Sequence, residues 1–115
     1  MGYNVWECNY DWGDITYVIE KEGRGPLSIE FSNDFPTRGY IYGVTVKPEC
    51  RRKGIGTGLL NEAEKVIKDR GLKYAFLYVD KNKPENAKFY ENLGYRYLEF
   101  LDEKEDKYFK YVKEL

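Results

Sequence analysis

Apolar and polar residues alternate over much of the N-terminal half of the chain, and this two-residue period is typical of half-buried β-strands. The alternation is regular in Leu27-Ser28-Ile29-Glu30-Phe31, while β-branched residues make Asp14 to Glu20 strand-like. Another strand is predicted from Tyr40 to Val46. Gly43 lies inside it, where a glycine indicates a bulge, a close ligand approach, or a small residue tolerated opposite a bulky one.

After Gly58 the spacing of apolar residues changes to that of an amphipathic helix, and Gly71 is expected to end this helix. A nearly continuous apolar run from Tyr74 to Val79 then predicts a buried strand. Pro84 and Gly94 bound a second helix. The apolar positions of the first helix are Leu59, Leu60, Ala63, Val66 and Ile67.

Two strands close the sequence, at Tyr95–Phe100 and Tyr108–Val112, and the charged run from Asp102 to Lys107 predicts a solvated hairpin loop between them. A first strand is expected near Tyr3–Tyr10. The order of strands, helix, strand, helix and two strands predicts an α+β, or mixed α/β, fold with helices covering a sheet. A length of 115 residues corresponds to a single domain spanning residues 1–115.

Composition excludes several classes of function. The formal net charge is -1, so no global basic field attracts nucleic acid. The chain has no histidine, which rules out a histidine base, Ser-His or Cys-His catalysis and histidine-ligated metals. Cys8 and Cys50 are too few for a cysteine-only zinc site, and no metal is predicted. Neither a secretory signal nor a run of about 18 apolar residues is evident, so we expect a cytoplasmic protein with free thiols and no membrane contact.

Three cations precede three alternating glycines ahead of the first helix, in the stretch Arg51-Arg52-Lys53-Gly54-Ile55-Gly56-Thr57-Gly58. Backbone N–H groups in the first turn of a helix have no partner within the helix, and the helix dipole favours an anion there. Glycine lets the backbone approach a ligand without a Cβ in the way. The stretch therefore predicts a phosphate-binding loop.

Two well-known phosphate loops fit this stretch poorly. A Walker A loop needs a lysine and a serine or threonine after its glycines, whereas here the lysine precedes them. The dinucleotide fingerprint G-x-G-x-x-G is met at Gly54 and Gly56 but has Leu59 in its third position. It stays an alternative because Asp80 lies near the expected ribose-binding position. The pattern Q/R-x-x-G-x-G/A is filled by Arg51 to Gly56.

At this pattern the chain resembles the GNAT family of acyl-CoA N-acyltransferases. A second stretch, Asn86-Ala87-Lys88-Phe89-Tyr90-Glu91-Asn92-Leu93-Gly94-Tyr95, looks like the family's A-x-x-F-Y-E-x-L-G-F signature. The two stretches occur in the family's order with a strand between them, so the resemblance covers Tyr40 to Tyr95. It implies a mixed, mostly antiparallel twisted sheet of about six or seven strands, splayed in a V and covered by two main helices.

The resemblance also implies acetyl-CoA as co-substrate. Its pyrophosphate would lie on the glycine loop, and its pantetheine along the Tyr40–Val46 strand, in the opening toward Tyr74–Val79. The family often has an asparagine seven residues before the tyrosine, and that position is Lys83 here, so Asn82 and Asn86 are the neighbours expected to contact the cofactor. The implied cofactor-binding residues are Val44, Thr45, Val46, Arg51, Arg52, Lys53, Gly54, Ile55, Gly56, Thr57, Asn82, Asn86 and Tyr90.

By the same resemblance, the acetyl group passes directly from the thioester to a primary amine. Tyr90 is then the implied general acid that protonates the leaving thiolate. Some relatives carry a glutamate on the strand that here runs from Tyr40 to Val46, and this chain has no acid there. Glu30 is the candidate general base, with Asp34 and Asp80 behind it and a water chain as another route.

Family members usually carry one or two helices between their first two strands, but here only Asp11-Trp12-Gly13 turns the chain. The acceptor side is therefore expected to be short and open. This suits a protein terminus or lysine, or a site completed by another subunit. The expected acceptor is an amine-bearing small molecule or protein, and a homodimer is kept as one assembly. An acetyl-CoA-dependent N-acetyltransferase and a CoA-binding accessory or sensor domain without catalysis are the two functions to separate.

Overall fold

The computed structural model describes residues 2–21, 25–34, 37–44, 54–103 and 106–115. Its order of elements confirms the predicted succession of strands, helix, strand, helix and two strands. No helix in these ranges is long and apolar enough to cross a bilayer. The elements are β1 (Tyr3–Asn9), β2 (Ile15–Lys21), β3 (Pro26–Phe31), β4 (Arg38–Tyr42), α1 (Ile55–Asp69), β5 (Tyr74–Asp80), α2 (Pro84–Asn92), β6 (Arg96–Glu103) and β7 (Asp106–Glu114).

The strands form one sheet in the order β1-β2-β3-β4-β5-β7-β6. β1 to β4 are an antiparallel meander because consecutive strands follow one another closely. β5 runs parallel to β4, since α1 carries the chain back between them. β7 lies between β5 and β6 and is antiparallel to both. The fold is therefore mixed α+β with a mostly antiparallel sheet, as predicted.

Both described helices pack on one face of the sheet, which we call the helix-bearing face. Gly39 lets α1 approach β4 closely, because a Cβ at this position would lie 2.7 Å from Ile67 Cγ1. α2 meets the same face at Tyr111, whose hydroxyl donates to Glu91 Oε2 at 3.2 Å. The buried core between helices and sheet consists of Ile19, Leu27, Ile29, Phe31, Ile41, Ile55, Leu59, Leu60, Ala63, Ile67, Ala75, Leu77, Val79, Tyr95 and Tyr111.

The opposite face of the sheet, which we call the open face, is covered by neither described helix. Strand alternation places Tyr40 and Tyr42 of β4 on this face, together with Phe76 and Tyr78 of β5, since the residues between them point into the core. The ring of Tyr40 stacks on those of Tyr42 and Phe76, with centroids 5.1 Å and 4.9 Å apart. An aromatic ridge therefore runs along the parallel strand pair.

A tight turn joins β1 to β2, and this confirms the predicted short connection. The N–H of Tyr10 donates to the carbonyl of Asp14, and the N–H of Gly13 donates to the carbonyl of Tyr10, both at 2.9 Å. The side-chain Nδ2 of Asn33 donates to the carbonyl of Trp12 at 3.0 Å and fixes the turn from the end of β3. No helix therefore intervenes in residues 10–14.

Two predicted boundaries need comment, and the second of them is wrong. Within the described residues β4 runs from Arg38 to Tyr42 and the pairing is interrupted at Gly43, whose φ of +65° is left-handed, whereas Thr45 and Val46 of the predicted strand lie outside the described residues. The charged run from Asp102 to Lys107 is not all loop, since Asp102 pairs with Lys107 and Glu103 with Asp106. An edge strand such as β6 has one solvated side and tolerates charge, so polarity alone did not reveal where the strand ends.

Candidate active site

A cleft opens where β4 and β5 separate. Among the described residues the two strands pair at three positions, Arg38 with Tyr74, Gly39 with Ala75 and Tyr40 with Phe76. Beyond these pairs a cleft of about 560 Å³ lies between the strands. The left-handed Gly43 turns the chain out of the strand at the mouth of this cleft. Its walls are Tyr40, Ile41, Tyr42, Gly43 and Val44 from the β4 side, Leu77, Tyr78, Val79 and Asp80 from β5, Lys83, Asn86 and Tyr90 from the α2 region, and Tyr108 from β7.

The glycine loop leads directly into α1. Gly54 precedes the helix with a φ of 74°, and Ile55, Gly56 and Thr57 form its first turn. Within the described part of the chain, no side chain caps this helix and no acidic residue lies in its first turn. Its first N–H groups are therefore suited to donate hydrogen bonds to an anion. The predicted ligands Thr45, Val46, Arg51, Arg52 and Lys53 lie outside the described residues.

Tyr90 faces the cleft from α2. Its side chain is half-buried, and its ring makes edge contacts with Phe89 and Tyr95 at centroid distances of 5.2 Å and 6.0 Å. Burial raises the pKa of Tyr90 above its ordinary value of 10.0. The phenol therefore keeps its proton at neutral pH, which is the state that a general acid requires.

A polar network ties α1 to the end of α2. The hydroxyl of Tyr95 donates to Glu64 Oε2 at 3.0 Å. Lys113 Nζ donates to Glu64 Oε1 at 2.8 Å and to the carbonyl of Leu93 at 2.9 Å. Because Tyr95 also contacts the ring of Tyr90, this network fixes the helix that follows the glycine loop relative to the helix that carries Tyr90.

Tyr95 gives the stability of the protein a pH dependence that can be measured. Burial, and then the carboxylate of Glu64, raise the pKa of Tyr95 above its ordinary value of 10.0. Above pH 10 the unfolded chain loses this proton while the folded chain keeps it, so the free energy of unfolding falls as the pH rises further. We expect urea titrations on both sides of pH 10 to show this decline. Tyr95→Phe should make the decline less steep, because other buried tyrosines such as Tyr40 and Tyr90 still contribute to it, and an equally steep decline in the variant would contradict the assignment.

Three of the remaining predicted residues line a cavity and two do not. Asp80 and Asn86 line the cleft, whereas Asn82 is exposed beside it and its N–H donates to Asp80 Oδ1 at 2.8 Å. Glu30 lines a neighbouring cavity of about 260 Å³, together with Ser32, Arg38, Tyr40, Phe76 and Tyr78. Tyr40 and Tyr78 line both cavities, so they form the wall between Glu30 and the cleft. Asp34 is exposed in the turn after β3 and lines neither of these cavities.

Sequence reasoning missed the tyrosine wall of the cleft. Tyr40, Tyr42, Tyr78 and Tyr108 all line it. Burial, and then the neighbouring Tyr78 hydroxyl and Glu30 carboxylate, raise the pKa of Tyr40, so this hydroxyl also stays protonated at neutral pH. The alternation of tyrosine with core residues in β4 and β5 was the signal that could have placed them on one face.

A profile of the Acetyltransferase (GNAT) family matches residues 4–95 of the chain. The match spans most of the sequence and includes both the glycine loop and the α2 signature. The chain therefore belongs to the GNAT acetyltransferase family.

Solved structures share the fold. A putative acetyltransferase of the GNAT family from Desulfovibrio desulfuricans superposes with a TM-score of 0.75 at 18% identity, over 89% of this chain and 69% of that chain. A GNAT family acetyltransferase from Elizabethkingia anophelis, solved with acetyl-CoA bound, gives a TM-score of 0.73 at 14% identity over 99% of both chains. At such identities the likeness establishes the fold alone.

One curated relative is similar in sequence over a segment. The chain is 35% identical over 57 residues to a mycothiol acetyltransferase of Nocardiopsis dassonvillei. The match covers 50% of this chain but only 17% of that protein. The sequence similarity therefore covers only a segment of that protein.

Proposed function

We propose that the chain is an acetyl-CoA-dependent N-acetyltransferase that transfers an acetyl group directly to a primary amine. The observation that carries the proposal is the cleft between β4 and β5. Tyr90 of α2 lines one side of it, and Val44, which precedes Gly54 and α1 in the sequence, lines the other. The cleft supplies a channel for a long thin cofactor, and the helix start supplies an anion site.

Acetyl-CoA is proposed to bind along this channel. Backbone N–H groups from Gly54 to Thr57 would hold the pyrophosphate, with Arg51, Arg52 and Lys53 adding positive charge. The pantetheine would follow Val44, Thr45 and Val46 out of the cleft, with Asn86 on the opposite wall and Asn82 at the rim. Val44 lines the cleft directly after the left-handed Gly43, which supports this path.

The proposed reaction needs one proton donor and one proton acceptor. The neutral amine attacks the thioester carbonyl, the C–N bond forms, and the C–S bond of the tetrahedral intermediate breaks. Tyr90 gives its phenolic proton to the departing CoA thiolate. Glu30 is the proposed base that takes a proton from the amine, through the tyrosine wall or a water, while Asp80 is the carboxylate that lines the cleft itself.

Ligand binding tests the proposal before any acceptor is known. A ligand that binds only the native state at 100 times its Kd stabilises it by about 2.7 kcal/mol, which raises the Tm of a domain this size by about 10 °C or more. We expect acetyl-CoA and CoA to produce this shift in a thermal-denaturation titration, and NAD and ATP to produce none. A shift with NAD alone would instead support the dinucleotide alternative, and no shift with acetyl-CoA would remove the proposal.

A CoA-binding domain without catalysis is the second candidate, and the short turn between β1 and β2 favours it. That turn leaves the acceptor side of the cleft without a covering helix from residues 10–14. The two candidates differ in turnover. Release of free CoA thiol from acetyl-CoA in the presence of an amine panel supports the enzyme, whereas tight CoA binding with no amine-dependent release supports the accessory domain.

A further inference from the structure

A lysine lines the cleft in which the acetyl thioester is proposed to bind. Among the described residues of its walls, Lys83 is the one that carries an amine. Lys83 directly precedes α2, and its side chain is exposed to solvent. None of the residues that the structure describes forms an ion pair with this amine. A lysine amine placed beside an acyl donor has the chemistry of an acceptor.

Lys83 and the proposed acid Tyr90 lie on the same side of α2. They are seven residues apart, which is almost two complete turns of an α-helix, and both line the cleft. About 11 Å of helix axis separates their Cα atoms. The flexible four-carbon stem of lysine shortens this separation, since it can bend toward the phenol. The amine can therefore reach the region in which Tyr90 protonates the departing thiolate.

A tight turn holds a carboxylate next to this amine. The N–H of Lys83 donates to the carbonyl of Asp80 at 3.0 Å, which closes a four-residue turn at the end of β5. Asp80 Oδ1 accepts from the N–H of Asn82 at 2.8 Å, so the same turn orients the carboxylate. Asp80 also lines the cleft, and no ion pair joins it to Lys83. The turn therefore supplies a proton acceptor near the Lys83 amine.

We propose that Lys83 is a self-acetylation site, which receives the acetyl group of the acetyl-CoA bound in the cleft of the same chain. This inference rests on the proposed N-acetyltransferase function. The neutral Lys83 amine attacks the thioester carbonyl, the C–N bond forms, and the C–S bond breaks. Asp80 or a water takes the proton from the nitrogen, and Tyr90 protonates the CoA thiolate. The products are Nε-acetyl-Lys83 and free CoA, so no further co-reactant is required.

Self-acetylation competes with transfer to an external amine, because both acceptors use the same thioester. The modified Lys83 side chain is larger and carries no positive charge. An external acceptor that occupies the cleft should therefore slow the modification of Lys83. Protection of Lys83 from acetylation then gives an assay for acceptors that enter the cleft.

Two neighbouring lysines are matched controls. Lys81 and Lys88 are exposed like Lys83 but do not line the cleft. Chemical acetylation by acetyl-CoA in solution follows exposure and affects all three lysines. Transfer from a bound cofactor instead favours the amine that is held beside it. We expect acetylation of Lys83 to be at least about tenfold faster than that of Lys81 or Lys88.

Peptide mass spectrometry of the full chain after incubation with acetyl-CoA measures these rates. The fraction of Lys83 modified per unit time should not depend on protein concentration, because transfer occurs within one chain. An excess of CoA, which competes for the cleft, should suppress acetylation of Lys83 but not of Lys81 or Lys88. Equal rates at the three lysines, a Lys83 rate that rises with protein concentration, or a Lys83 rate that CoA does not lower overturns the proposal.

The release of free CoA gives a second measurement. Without an external amine, native protein should release about one equivalent of CoA thiol per chain and then stop. Lys83→Arg keeps the positive charge but removes the amine, so this release should be lost, whereas Lys81→Arg should retain it. A release that persists in Lys83→Arg overturns the proposal.

The thermal shift with acetyl-CoA separates this inference from the proposed function. A normal shift without selective acetylation of Lys83 overturns self-acetylation alone, and the proposed function stands. The absence of any shift overturns both, since the cleft then holds no acetyl donor.

Discussion

Tyr90→Phe is expected to lower kcat of acetyl transfer by about 100-fold while leaving the Kd for acetyl-CoA nearly unchanged. The change removes one phenolic oxygen and keeps the ring that contacts Phe89 and Tyr95, so packing in α2 is preserved. The leaving thiolate then lacks its proton donor. A stopped or continuous assay of free CoA thiol measures kcat, and calorimetry measures the Kd.

Tyr97→Phe is the control for the Tyr90 variant. Tyr97 is an exposed tyrosine that does not line the cleft. Tyr97→Phe should therefore leave kcat unchanged. The pH profile gives a second readout, because burial raises the pKa of Tyr90. Loss of this proton should lower kcat only above pH 10, and this alkaline fall should be absent from Tyr90→Phe. If Tyr90→Phe and Tyr97→Phe have the same kcat as the native protein, Tyr90 has no role in proton transfer.

Gly39→Ala is expected to lower the free energy of unfolding by about 3 kcal/mol, through overpacking between α1 and the base of the cleft. The new Cβ would lie 2.7 Å from Ile67 Cγ1 and 2.8 Å from Ile67 Cδ1, with Ile29 Cγ2 at 3.3 Å. All three atoms belong to fully buried side chains, which have little room to move. Urea denaturation of the variant measures the loss.

A double-mutant cycle identifies the cause of that loss. Ile67→Ala alone should cost about 2–5 kcal/mol, because it empties a buried site. The double variant Gly39→Ala with Ile67→Ala should lose less than the sum of the two single changes, since the clashing atoms are gone. Gly71→Ala is the contrasting glycine. No atom lies within 4 Å of its Cβ position, so Gly71→Ala causes no clash. Its cost is the backbone strain of placing alanine at a φ of +77°. Additive losses at positions 39 and 67 would contradict the overpacking account.

Much of the fold could be predicted because its signals are local. The stripe of Leu59, Leu60, Ala63 and Ile67 has the helical period, and α1 buries these side chains together with Ile55. The continuous apolar run of β5 indicated a strand covered on both sides, and Ala75, Leu77 and Val79 do lie in the core. On the opposite side of the strand Phe76 is also buried, beneath the cations of Arg38 and Lys110, while Tyr78 is only partly buried.

The site was predictable only as far as it depends on short motifs. The glycine loop and the Asn86–Tyr95 stretch placed α1 and Tyr90 correctly along the chain, because each motif reports its own element. The wall formed by Tyr40, Tyr78 and Tyr108 joins three strands that are distant in sequence, so no local pattern encodes it. For the same reason, the sequence could not reveal that Glu30 lies behind that wall rather than in the cleft.

The three-position ladder between β4 and β5 has a consequence for how the protein reaches its native state. β1 to β4 form one group of strands by successive antiparallel pairings, and β5 to β7 form another. The ladder that joins them requires the whole of α1 to fold back first, and such sequence-distant pairings carry the greatest loop-closure entropy. We therefore infer that β4 and β5 pair late in folding. This late pairing between β4 and β5 ends at Tyr40 and Phe76, and the proposed cofactor occupies the opening beyond these two residues.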